Sequence, residues 1–155
     1  LKKPYVYVST NAADGPHYEN IGHPETSGTF PRLIGRYARD KQVIDLIEAI
    51  KKITLLPAQR FGIQNKGKIE IGFDADIVIF DYQQIIDTAN FVGIGDPNAA
   101  PKGIEYVIVN GEIVVEKNKV FRDKKPGKLL KHYGNVRLNK EQSVFEDLED
   151  KAKII

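Results

Sequence analysis

The sequence predicts a mixed α/β chain, and three observations carry that reading. Tyr5–Ser9 alternates aromatic and β-branched residues, as a buried strand does. Residues 29–62 place apolar side chains at helical spacing. After Gly67 the period changes, and short β-branched runs are divided by Gly, Asp and Asn.

Taken in order, the strand at Tyr5–Ser9 runs into residues 10–28, which are rich in Gly, Pro, Asn, Asp and Thr and carry no sustained period. A loop of that length in a compact domain is usually functional. Thr29 is placed to cap a helix that opens near Pro31 and runs to about Arg39. Asp40 is placed to cap a second helix, with Val43, Leu46, Ile47 and Ile50 as its apolar stripe and Glu48 and Lys52 on its solvent face. A third, short helix fits LPAQRFG, with Pro57 in its first turn and Gly62 stopping it. The runs IEIG, ADIVIFD, IEYVIVNG and EIVVEKN then predict a small antiparallel sheet. Asn110-Gly111 is its strongest hairpin signal, because both positions tolerate positive φ. Between Glu116 and Lys131 seven Lys/Arg face two acids, a pattern that fits a solvated sheet rim better than a partner patch. In the tail, Val144, Phe145, Leu148, Ala152 and Ile155 share one face of an amphipathic helix. That face must dock on this chain or on another copy, so a homo-oligomer through residues 144–155 is one expectation.

Composition bounds the function classes. With 155 residues, 41% hydrophobic and 28% charged, the chain can bury an ordinary core. A net charge of +2 gives no support for nucleic-acid binding. No apolar run is long enough to span a bilayer, and LKKPYVYVS is too short for a signal peptide. Cys is absent, which excludes thiolate chemistry and fits a reducing, cytoplasmic setting. Leu1 stands where a natural start would have Met, which points to a trimmed or partial polypeptide.

The segment DGPHYENIGHP, residues 14–24, gathers Asp14, His17, Glu19 and His23, all of them residue types that bind zinc. None of the spacings matches a helix-borne HExxH or another compact zinc motif. A self-contained site at Asp14, His17 and His23 therefore stands as the weaker alternative. The plainer reading has the histidines holding loop carbonyls and Asp14 capping its turn with Gly15. Asp74 and Asp76 share a strand face but read first as turn formers. Arg32, Arg36 and Arg39 share one helix face and read as solvated or paired with Asp40 and Glu48. Ser9 and Thr10 lack a surrounding GxSxG elbow.

Two segments carry a resemblance. GKIEIGFDADIVIFD followed by GIEYVIVNGEIVVEKNKV resembles the C-terminal signature of the amidohydrolase superfamily. More narrowly, HPETSGTFPRLIGRYARDKQVIDLIEAIKKITLLPAQRFGI, with PGKLLK further on, resembles the N-acyl-D-amino-acid deacylases, or D-aminoacylases. The resemblance covers about residues 5–131. It implies part of a (β/α)8 barrel over residues 1–62, with Tyr5–Ser9 as the eighth strand, its active-site loop and the helices that follow. A small β-sandwich portion would occupy 63–131, and 132–155 would be a helical tail beyond the family's usual end. It also implies hydrolysis of the amide bond of an N-acyl-D-amino acid, with an aspartate beyond the eighth strand activating a zinc-bound water and protonating the leaving amine.

Asp14 is the preferred residue for that role, and Asn11 holds the competing alignment. His23, Glu25, Thr29 and Arg32 would line the substrate pocket. Glu25 stands where the family pattern has an Arg suited to a substrate carboxylate, so the sign is reversed and such a substrate would be repelled. The zinc would come from residues outside this chain, and a complementary segment with the missing barrel strands would be the partner. This chain alone would then be inactive. The alternative is a non-catalytic amidohydrolase-like interaction or assembly module, using the basic segment and the tail.

Overall fold

A computed structural model describes residues 1–10 and 23–130 of the chain. The first regular element is helix α1, Glu25–Arg32, which continues directly into a π-helical stretch at Leu33–Asp40. The helix thus opens earlier than the sequence suggests, after Pro24, and Pro31 lies inside it. Thr29 is not its cap: its hydroxyl donates back to the Glu25 carbonyl at 2.7 Å. Pro31 supplies no N–H for the Ser27 carbonyl, an interruption of the ladder that favours a change of helical pitch. The widened turn is closed by Lys41 N–H donating to Arg36 O at 2.9 Å.

Helix α2, Leu46–Ile53, is capped by Asp45 rather than Asp40; the Asp45 carboxylate accepts from the Glu48 N–H at 2.8 Å. The expected cap could not serve there, because Gln42 at φ 48 turns the chain before the helix begins. Ile47 is exposed while Ala49 and Lys52 are buried. The apolar stripe is therefore rotated from its expected place, and Lys52 does not lie on the solvent face. Helix α3, Leu55–Arg60, stops as expected, with Gly62 at φ 64.

Four strands follow: β1 Ile77–Phe80, β2 Ile104–Val109, β3 Glu112–Glu116 and β4 Lys119–Val120. They form one antiparallel sheet in the order β1-β2-β3-β4. Asn110 and Gly111 take φ 47 and 81 between β2 and β3, which gives the expected hairpin and pairs Val107 with Val115. Lys117 and Asn118, also at positive φ, turn β3 into β4.

Two expected strands are not formed. The run IEIG has no place in the sheet; Ile69 and Ile71 are almost wholly exposed. Tyr5–Ser9 joins no ladder with the four strands. It is held to helix α2 instead: Val8 N–H donates to Lys52 O at 3.3 Å and Val6 O accepts from Lys52 Nζ at 2.7 Å. A strand keeps its backbone groups satisfied through neighbouring strands, and among the described residues no strand pairs with either segment. The amphipathic helix expected over residues 138–155 falls outside the described residues.

The main core is helical: Leu33, Ala38, Ile44 and Ala49 are buried together, with Val8, Tyr37, Val43 and Ile53 packed against them. The long connection 81–103 between β1 and β2 closes on this layer. Ile85 is 2% exposed, and its carbonyl lies so near Gly35 that a Cβ there would stand 2.1 Å away. Gly103, at φ 79, presses on Ile85 from the other side. Arg39 fastens the same connection by donating to the carbonyls of Tyr82, Gln83 and Ile85 at 3.0, 3.1 and 2.8 Å.

Candidate functional site

Helix α1 with the two residues before it, and residues 89–91 of the connection, line a recess of about 220 Å³. His23, Glu25, Thr29 and Arg32 all line it, joined from the other wall by Asn90 and Phe91. Gly28 makes the approach of the two walls possible. A Cβ there would sit 3.2 Å from Asp87 Cβ and 3.9 Å from Ala89 Cβ. Ser27 Oγ donates to Ala99 O at 3.0 Å and Thr88 Oγ1 donates to Ala100 O at 2.7 Å, which fixes the far wall.

Arg32 is not a free cation in this recess. Its Nε and Nη2 both donate to one oxygen of Asp87, at 2.9 and 2.5 Å, and the Asp87 side chain is only 6% exposed. A charge-assisted pair of this kind holds the guanidinium in place and cancels its charge locally. Among the described residues Glu25 has no such partner. The Glu25 N–H donates to His23 Nδ1 at 3.2 Å, and the Glu25 carboxylate stands 3.9 Å from that same nitrogen. Because Nδ1 accepts the backbone proton, a neutral ring carries its own proton on Nε2 and does not neutralise Glu25. The His23 ring meets Phe91 edge-on, with centroids 5.0 Å apart. Asp87 and Phe91 carry no motif in the sequence that could have assigned them here.

Asp14, Asn11 and His17 lie outside the described residues. The residues on either side, Thr10 and His23, are described. Thr10 Oγ1 donates to the Glu25 carbonyl at 3.2 Å, and His23 lines the recess. Thr10 and His23, the described residues that flank 11–22, thus both lie beside Glu25. Lys52 holds the approach to Thr10. Its ammonium, 0% exposed, donates to Lys3 O at 2.8 Å and Val6 O at 2.7 Å and pairs with Glu48 at 3.2 Å. The residue read as solvated is thus the anchor of the N-terminal segment, since a buried ammonium must spend all its donors.

The remaining clusters are structural. Lys66 pairs with Asp76 and, at 3.0 Å, with Asp74, while Asp76 Oδ1 accepts from the Asn110 N–H at 2.8 Å. The Lys66 hydrogen bond, ahead of the Asn110 N–H and against the cost of burial, holds the Asp76 carboxyl below its ordinary value; the same bond raises Lys66. Asp40 is lowered first by its hydrogen bond from Arg39, which is raised in turn. Among the described residues no three His, Asp or Glu side chains converge as metal ligands do. The described residues do not themselves fit a zinc ion.

The amidohydrolase family matches residues 14–115, and this chain belongs to that family. A D-aminoacylase from Alcaligenes xylosoxydans xylosoxydans is 38% identical over 118 residues, 76% of this chain and 24% of the relative. The N-acyl-D-glutamate deacylase of the same organism is 34% identical over 124 residues, 80% of this chain and 24% of its own length. The chain therefore spans about a quarter of the length of these relatives. Among solved structures, a D-aminoacylase with a binuclear metal centre superposes with a TM-score of 0.61 at 38% identity, covering 64% of this chain and 20% of that one. An N-acyl-D-glutamate deacylase from Bordetella bronchiseptica, complexed with zinc and a phosphonate mimic of the tetrahedral intermediate, gives 0.56 at 38% identity, covering 59% and 19%.

Proposed function

We propose that this chain forms one wall of an amidohydrolase site that cleaves the amide bond of an N-acyl-D-amino acid or a related amide. The observation that carries the reading is the recess lined by His23, Glu25, Thr29 and Arg32, with Thr10 bonded to the Glu25 carbonyl beside it. In this reading Asp14, on that segment, takes a proton from the attacking water and gives it to the leaving amine as the C–N bond breaks. His23 and Thr29 shape the pocket, and Arg32 with Asp87 keeps its wall rigid. Zinc belongs to residues outside this chain, on a complementary barrel segment in the same polypeptide or another. Residues 1–62 act as the end of the barrel, 63–131 as the sandwich portion and 132–155 as an appended tail.

A second reading, a non-catalytic assembly module of the same family, is favoured by Glu25 in the recess and by the bare Ile69 and Ile71.

The test is to join the 155-residue chain to the barrel portion of a D-aminoacylase-type relative and assay release of free amine. Hydrolysis that is lost in Asp14→Asn and unchanged in Asn11→Asp supports the first reading. Hydrolysis that appears only in Asn11→Asp moves the role to position 11. A stable complex without any hydrolysis leaves the assembly module.

A further inference from the structure

The charge of the recess has a consequence for what can enter it. Arg32 brings one positive charge, but Asp87 meets it behind the wall with both hydrogen bonds directed to Asp87 Oδ2. Glu25 brings one negative charge, and its nearest basic atom among the described residues, His23 Nδ1, is occupied as an acceptor. The N-terminus of α1 offsets Glu25 by about half a unit charge, which leaves the described lining net negative. The other wall adds the half-exposed Phe91, whose ring stands at right angles to that of His23. A carboxylate without a cationic partner among the described lining is complementary to an ammonium group and not to a carboxylate.

We infer that the recess selects a small amide bearing a cationic amino group, with Glu25 as the specificity-determining residue. The inference rests on the reading of this recess as the substrate pocket. It departs from what the relatives' names state for them, since one of those names specifies an acidic amino acid. Glu25 binds the ammonium, and the Arg32–Asp87 pair keeps Arg32 from drawing in an anion.

Three probes of matched size separate the possibilities: N-(2-aminoethyl)acetamide as the cation, N-acetylglycine as the anion and N-(2-hydroxyethyl)acetamide as the neutral control. Each is titrated into the full chain while backbone amide shifts of residues 23–32 and 87–91 are followed by NMR. The expected result is binding of the cation about fivefold tighter than the neutral probe, the scale of a solvent-accessible ion pair, with the anion weakest. Glu25→Gln should erase the preference, and Glu25→Arg should reverse it. Equal or tighter binding of N-acetylglycine overturns the inference, as does a cation preference that survives Glu25→Gln, or no shift in the recess with any probe. Binding and hydrolysis are read separately. Failure of the charge preference in a joined enzyme that still hydrolyses amides sinks only this inference, whereas a preserved preference without hydrolysis sinks only the catalytic reading.

Discussion

The helical region and the sheet region solve the same problem in different ways. In the helices, apolar and polar demands are met within the chain: Leu33, Ala38, Ile44 and Ala49 bury one another, and even the ammonium of Lys52 finds its acceptors. In the sheet the backbone is paired strand to strand, yet Val78 and Ile79 keep about half of their surface in water, and Ile69 and Ile71, just before the sheet, are almost wholly exposed. Hydrogen bonding and hydrophobic burial are thus separable here. The strands are specified by local pairing and turn chemistry, while their apolar faces contribute little to the stability of the isolated chain. The two regions meet at Ile85, which is where the contrast is easiest to break.

The largest effect is expected from Gly35→Ala. Its Cβ would collide with the backbone of Ile85, not with a movable side chain, so the connection must shift off the helices. A loss of about 3 kcal/mol or more is expected, read by urea unfolding, and amide exchange of residues 82–87 should rise with it. A loss below 1 kcal/mol would mean that the helices and the connection are not rigidly joined.

Lys52→Met comes next. It keeps the apolar stem but strips the donors from Lys3 O and Val6 O, and should cost about 2 kcal/mol. Exchange at residues 3–8 should accelerate more than in α3. Equal acceleration across the whole helical region would make Lys52 a packing residue and not an anchor.

Asp76→Asn is expected to cost less, below about 1 kcal/mol, because the pair with Lys66 is partly exposed. The sign of its pH dependence is fixed by the depressed carboxyl. Its stabilisation is present above the ordinary aspartate pKa near 4 and is lost as pH falls through the lower folded value. The raised Lys66 works in the other sense: its stabilisation is full below the ordinary lysine value and is lost as pH rises through the folded one. An acid-unfolding curve that is the same in Asp76→Asn and the unmodified chain would remove this pair from the account.

The smallest change is expected for Ile71→Ser, within about 0.5 kcal/mol, with reduced self-association in analytical ultracentrifugation. A destabilisation of 2 kcal/mol or more would show that this run is covered in solution and would undo the contrast between the regions.

Much of this could be read from the residues. Asn110-Gly111 marked its own hairpin, and Gly62 its helix end, because positive φ is a local demand. The GTFPR block marked the family, which the match to residues 14–115 shows. Boundaries set by long-range contact were not legible. The helix running through Pro31, the cap at Asp45 and the burial of Lys52 each depend on what packs beside them. Glu25, Thr29 and Arg32 could be grouped from one motif, whereas Asp87 and Phe91 lie far along the chain in a connection without periodicity.

Lys52 has one more implication. It grips Lys3 and Val6 by their carbonyl oxygens, and every amino acid offers that same atom. The side chains of the first residues can therefore drift under mutation while the path of the chain is kept. Selection acting on that path would be recorded at position 52 and not in the segment it guides.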